Sequence, residues 1–127
     1  MAWIFPEAGT PYAERVMAHL GDEDAIVPSL WPLEVGNALL MAERRKRIEE
    51  GEIEVRLERL SKLPVRIEAG FSLEEFPLLG MLSREYGLTA YDATYLELAM
   101  RTGSSLASLG KDLLRAARKA NVTILEE

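Results

Sequence analysis

Two carboxylates stand where apolar side chains would be expected. Glu34 lies in Ser29–Arg47, a stretch that reads as a helix, and shares a face there with Leu30, Trp31, Ala38 and Met41. Desolvating a carboxylate costs several kcal/mol unless a cation, a donor or a proton meets it. Asp92 shares a face with Leu88, Leu96 and Ala99 on a second helix. Thr89-x-x-Asp92 also matches a capping box, so at Asp92 both helix capping and ligand binding remain open. Each acid opens a helix near the end of an expected strand, where α/β sheets place their ligands. At ~5 Å and an effective dielectric of about 20, two such charges repel by about 3 kcal/mol. The pair then needs a shared proton or a divalent cation. Mg²⁺ suits all-oxygen ligands and keeps several waters, so few carboxylates are required. That chemistry lowers the pKa of a bound water and clamps a phosphodiester oxygen without any histidine.

Neighbouring residues extend both possibilities. Asn37, one turn after Glu34, either bonds a metal-bound water or the carboxylate, or makes an amide contact between helices. Arg44-Arg45-Lys46-Arg47 is either a solvated last turn complementing the helix dipole or a contact strip for phosphates. Asp112 falls in the first turn of a helix that follows a strand, where dipole compensation alone would place an acid. Gly110-Lys111-Asp112 is not a phosphate loop, because the spacing from Gly103 is wrong and Asp replaces the Ser or Thr after Lys.

The totals narrow the classes. A chain of 127 residues fits one domain, taken as 1–127, and 48% hydrophobic with 28% charged residues is ordinary for a globular protein. The absence of cysteine excludes disulfides, thiolate metal sites and a cysteine nucleophile. The single histidine, His19, excludes a multi-histidine metal site within one chain. With a formal net charge of −6, bulk attraction does not hold a polyanion, so a nucleic acid needs a basic strip or a bridging metal. No apolar run reaches membrane-spanning length, and the opening Met-Ala-Trp-Ile-Phe-Pro has no basic lead, which makes a cytoplasmic location the expectation.

The elements that must position these acids follow in order. Met1 to Phe5 is a short apolar stub, either the tail of a strand or a first helical turn. Thr10-Pro11 opens a helix over Tyr12 to Leu20. Ala25 to Pro28 reads as a buried strand feeding the Glu34 helix, with Ser29 as its N-cap. A helix over Glu52 to Leu63 stops at Pro64, and Val65 to Ile67 is a strand. Leu73 to Tyr86 is a helix with Pro77 in its first turns. Ala90 to Arg101 is a helix closed by Thr102-Gly103, and Leu106 to Leu109 is a strand. Lys111 to Ala120 is a helix with a basic outer face, and Val122 to Leu125 is the last strand. Strands alternating with helices argue for an α/β layer with a mostly parallel sheet.

The order Val27-Pro-Ser-Leu-Trp-Pro-Leu-Glu34-Val-Gly-Asn37, then Gly87-Leu-Thr-Ala-Tyr-Asp92-Ala-Thr-Tyr-Leu-Glu-Leu-Ala99, then Leu106-Ala-Ser-Leu-Gly-Lys-Asp-Leu113, resembles a PIN domain, most closely the VapC-type toxins of toxin–antitoxin pairs. The resemblance spans essentially the whole chain. It implies a three-layer α/β/α fold around a parallel sheet, Mg²⁺- or Mn²⁺-dependent endoribonuclease activity on RNA, dimerisation, and inhibition by an antitoxin. The family's second acid falls on Glu34, its asparagine on Asn37 and its third acid on Asp92. Its first aspartate would precede the segment resembling Ala2-Trp-Ile-Phe-Pro-Glu7, so that acid and most of the first strand are expected to be missing or truncated. A rearranged sheet, or a second chain over the gap, is the expected consequence. The fourth acid, in a Thr-x-Asp pattern, is replaced by Ser108-Leu-Gly110, and helix geometry aims the nearby Asp112 away from the direction of position 110. Glu34, Asp92 and Asp112 are thus the expected catalytic acids, with Glu34 and Asp92 as metal ligands. Asn37, Ser108, Arg44 and Arg45 are the expected supporting or RNA-contacting residues. Two alternatives stand beside this reading: a catalytically degenerate PIN module acting through protein or RNA binding, and an unrelated α/β interaction domain with capping acids.

Overall fold

The computed structural model describes residues 3–4, 24–68, 72–108 and 110–125. The helix expected over Tyr12 to Leu20, with His19, lies outside the described residues. Four parallel strands form the sheet: β1 (Trp3–Ile4), β2 (Ala25–Val27), β3 (Val65–Ile67) and β4 (Ser105–Leu106), in the order β3-β2-β1-β4. The helices are α1 (Trp31–Arg44), α2 (Glu50–Ser61), α3 (Phe76–Tyr86, entered through a 3₁₀ turn at Leu73–Glu75), α4 (Ala90–Thr102) and α5 (Lys111–Lys119). This is the expected α/β architecture, a parallel sheet with helices, in a PIN-like fold.

The sheet is not rearranged. Trp3 pairs with Ala25 on one side and Ser105 on the other, and Ile4 pairs with Leu106, so the N-terminal stub occupies the central slot. The resemblance would put this segment just after the first strand. An empty slot would leave backbone groups of β2 and β4 buried without partners, and even two residues of strand recover some of them. The Ala107 N–H, for example, donates to the Ile4 carbonyl at 2.8 Å. Beyond β4, the expected last strand contracts to a single parallel bridge between Leu106 and Ile124.

Local chemistry explains most element ends. α4 starts where the Thr89 hydroxyl accepts the Asp92 N–H at 3.1 Å, and it stops at Gly103 with φ 65°. α3 stops at Gly87, with φ 68°. α2 begins two residues before the expected Glu52, because Glu49 and Glu52 form the reciprocal capping box. Ser29 is not the cap of α1. A turn closed by the Trp31 N–H on the Pro28 carbonyl, at 3.0 Å, satisfies that end with backbone, and Leu30 takes the cap position.

α1 buries Trp31, Val35 and Leu39 in the core. Ala38, placed by periodicity on the Glu34 face, is exposed, so Glu34 borders the buried stripe and does not sit in its middle. Ile4, Ile26, Val27, Leu96, Leu98, Leu106 and Leu113 are fully buried in one core with Tyr95, each side chain contributing roughly 1.5–3 kcal/mol by its burial.

Candidate functional site

Parallel strands require the helices between them to run back against the sheet. α1 and α5 follow β2 and β4, so their N-termini lie at the carboxyl edge of the strands. α4 ends two residues before β4, so its N-terminus also lies at that edge. Strand order changes direction around β1, and the crevice outside such a reversal is where open α/β sheets bind ligands. Glu34, Asp92 and Asp112 are each the acid in the first turn of one of these three helices.

Glu34 meets a donor. The Tyr95 hydroxyl donates to Glu34 Oε1 at 2.5 Å, across 61 positions of sequence and from a side chain that is only 1% exposed. Burial pushes the Glu34 carboxyl above the ordinary carboxylate range. The Tyr95 bond opposes that rise, and the nearby Asp92 charge adds to it. Asp92 is raised as well, first by its own burial and then by the Asp112 charge. The three acids therefore form a chain of like charges, Glu34 to Asp92 to Asp112.

Asp92 answers the capping question in part. Thr89 takes up the Asp92 backbone N–H, and among the described residues no donor reaches the Asp92 carboxylate. Asp112 is 62% exposed and pairs with Arg115 at 3.1 Å. Gly110 is the N-cap of α5, with extended backbone (φ −68°, ψ 116°), and so lies outside the helical rotation that places Asp112. Ser108 is buried, and its hydroxyl accepts the Gly110 N–H at 3.0 Å. Asn37 is exposed one turn beyond Glu34. Arg44 and Arg45 are exposed at the far end of α1, about 15 Å along the helix from Glu34, and the structure does not bring them to the acids.

The donor set fits a hard divalent cation in kind. Glu34 and Asp92 offer oxygen from two separate helices, their proton affinity is raised, and one of them has no donor of its own among the described residues. The set is short in number: among the described residues no group of three Asp, Glu, His or Cys side chains is gathered closely enough to hold a metal. A cation held by two carboxylates alone takes its remaining ligands from water.

Tyr95 was missed by sequence reasoning. A signal existed, because Asp92-x-x-Tyr95 puts both on one helical face, and a buried tyrosine hydroxyl requires a partner.

A parallel α/β domain with acids at the carboxyl edge of its sheet is the class of protein that fold and site define. The PIN domain sequence profile matches residues 1–119, and the chain belongs to the PIN domain family. PIN domains are generally nucleases and generally use divalent metal ions. Among solved structures, the crystal structure of PAE2754 from Pyrobaculum aerophilum is similar at 24% identity and a TM-score of 0.70, over 91% of this chain and 87% of that one. A PilT N-terminus domain protein, SSO1118 from Sulfolobus solfataricus P2, is similar at 11% identity and a TM-score of 0.54, over 98% and 86% respectively. These likenesses establish the fold. No curated protein matches the chain. Among the described residues no helix is long and apolar enough to cross a membrane.

Proposed function

We propose that the chain, as a single domain over 1–127, is an endoribonuclease dependent on Mg²⁺ or Mn²⁺ that hydrolyses RNA phosphodiester bonds, and that it is the VapC-like toxin of a cytoplasmic toxin–antitoxin pair. The observation that carries this reading is the raised carboxyls of Glu34 and Asp92, two half-buried acids from separate helices with the Asp92 charge acting on Glu34, in a family of metal-using nucleases.

Glu34 and Asp92 would hold the cation, which there would supply an activated water and a charge on a phosphodiester oxygen. The chain's own residues do the positioning. Tyr95 fixes the Glu34 carboxylate by its hydrogen bond. Thr89 fixes the first turn of α4, and with it Asp92. Asp112 adds the third negative charge of the catalytic set. Asn37 lies exposed one turn after Glu34, and Ser108 holds the Gly110 N–H in the loop before α5. Arg44 and Arg45 supply distant positive charge for the RNA backbone, which a chain of net charge −6 needs.

Association is supported by exposed apolar surface. Phe76, Leu78 and Tyr91 are each at least 45% exposed and line one groove of about 730 Å³, with Leu73 and Met81 exposed on the same segment. A patch of that kind marks an interaction surface. In this reading it serves a homodimer or a complex with the antitoxin.

Gly110 favours a second reading. It stands where the resemblance puts an acid, and a PIN module short of ligands acts through protein or RNA binding with little catalysis. Titration calorimetry with Mn²⁺, alongside cleavage of a fluorogenic RNA, separates the two. The nuclease reading expects binding heat and cleavage that both disappear in Glu34→Gln and Asp92→Asn while circular dichroism stays unchanged. A flat Mn²⁺ trace from the folded wild type rejects it. So does cleavage that survives both substitutions.

A further inference from the structure

The outer face of α5 carries a charge opposite to that of the chain as a whole. Lys111, Arg115 and Arg118 are spaced i, i+4, i+7 and so line one face of the helix, and Lys119 follows one turn after Arg115. All four are exposed, while Leu113, Ala116 and Ala117 are buried on the opposite face. Asp112 is the one carboxylate of the helix, and it pairs with Arg115 at 3.1 Å. Among the described residues no carboxylate pairs with Lys111, Arg118 or Lys119. α2 is built differently: Glu50, Glu52, Glu54 and Glu58 are interspersed with Arg56 and Arg59, and Arg56 reaches Glu52 at 3.7 Å. Nor does the helix dipole account for the strip. Arg118 and Lys119 suit its negative end, but Lys111 stands at the positive end, where a cation is unfavourable. In a chain of net charge −6 the strip also lowers the net charge that favours solubility.

The strip begins at the acid edge. α5 follows β4, so Lys111 lies at the carboxyl end of the sheet, as do the first turns that carry Glu34 and Asp92. From there the cations run away from that edge, over about 10 Å between Lys111 and Arg118. Arg115 also borders the turn that leads into the Thr89 cap of α4, with a guanidinium nitrogen 3.8 Å from where a side chain at Gly87 would begin. We propose that this face of α5 is the track along which the backbone of single-stranded RNA lies as it enters or leaves the acid edge. Lys111, Arg118 and Lys119 are its phosphate contacts, and Arg115 is a contact shared with Asp112. The proposal rests on the RNA reading above and gives it a path across the surface. One line of cations matches one strand, whereas a duplex presents two backbones across a groove. At about 3.4 Å of axis per charge on a stacked strand, the strip spans roughly three phosphates. Such contacts position RNA without reading its sequence, so the track orients the strand and leaves the choice of bond to residues around the acids.

Fluorescence anisotropy of the full chain with a labelled single-stranded RNA of about 12 nucleotides, in EDTA and over a series of salt concentrations, tests the track without cleavage. Arg118→Gln with Lys119→Gln should weaken binding about tenfold at low salt. It should also flatten the log–log salt dependence by about 1.4, the change for two lost phosphate contacts. Arg59→Gln with Lys62→Gln removes the same charge from exposed positions on and just after α2, and should change affinity less than about twofold. Equal weakening by the two pairs overturns the proposal, because it reports net charge alone. Unchanged affinity in the α5 pair overturns it, as does a wild type that binds no RNA. Tighter binding of poly-L-glutamate than of RNA overturns it in favour of a dock for an acidic protein. Cleavage assays with Mn²⁺ keep the two readings apart. A wild type that cleaves, with KM unchanged in the α5 pair, keeps the nuclease and loses the track. RNA binding that depends on α5 in a chain that does not cleave keeps the track and loses the nuclease. Thermal melts establish that each variant is folded.

Discussion

The two flanks of the acid site are made differently. On one, Glu34 is gripped by a tyrosine that is 1% exposed, through a bond of 2.5 Å joining two helices. On the other, Asp112 is held by an arginine on its own helix, with both partners largely in water. A buried donor is fixed by everything packed around it, so that carboxylate stays in place. An exposed ion pair is worth at most about 1 kcal/mol, so that carboxylate is adjustable. Asp92 lies between, anchored through its backbone and repelled by the Asp112 charge. The site has one rigid flank and one soft flank.

The largest effect is expected on the rigid flank. Tyr95→Ala should destabilise the fold by about 3–5 kcal/mol through the cavity it leaves, as read by urea denaturation. Tyr95→Phe keeps the packing and removes only the hydroxyl, and a bond to a carboxylate is worth about 1.5–3 kcal/mol. It should also weaken Mn²⁺ binding, whereas a tyrosine that served packing alone would leave Mn²⁺ affinity unchanged.

Asp92→Asn is the next test, with opposite signs on stability and function. Removing the central like charge should raise the melting temperature of the metal-free chain by a few degrees while abolishing stabilisation by Mn²⁺. A metal-free melting temperature that falls would contradict the repulsion between the acids.

The pH dependence follows from the raised carboxyls of Glu34 and Asp92. A group with a raised folded-state pKa binds more protons in the folded chain. Its contribution to stability is full below the ordinary carboxylate pKa and is lost as pH rises through the raised value. Metal-free melting curves should lose this contribution as pH rises above the ordinary carboxylate range, and added Mn²⁺ should restore more stability at neutral than at acid pH. Equal Mn²⁺ stabilisation at both would break the link between the raised carboxyls and the metal.

The smallest effect belongs to the soft flank. Asp112→Ala or Arg115→Ala should shift stability by no more than about 0.5 kcal/mol. A larger loss would make that pair a structural brace, and the contrast between the flanks would disappear.

What could be read from the chain depended on whether its cause was local. Thr89, Gly87 and Gly103 mark their helix ends because capping and positive φ are satisfied within a few residues. Val65–Ile67 was legible because its pattern is local, and so was the fully buried run Ala25–Val27. The start of α1 was not, because the Pro28–Trp31 turn satisfied that helix end without the Ser29 hydroxyl. Ala38 and Met41 share the Glu34 face by periodicity, but the buried residues of this helix are Trp31, Val35 and Leu39. Glu34 and Asp92 stood out as acids on apolar faces, and Tyr95 passed unnoticed as one more apolar residue on such a face.

The sequence by itself determined that the chain alternates strands and helices and that acids open three of those helices. Hydrophobic period, capping residues and composition act over one or two turns, and so they are written in the order of the residues. Only the tertiary structure decided that Tyr95 answers Glu34 and that Trp3–Ile4 takes the middle of the sheet. It also decided that Asp112 belongs to Arg115 while its charge still reaches Asp92. Those outcomes depend on which surfaces packing brings together across long stretches of chain, and Coulomb forces and hydrogen bonds respond to distance in space and not along the sequence.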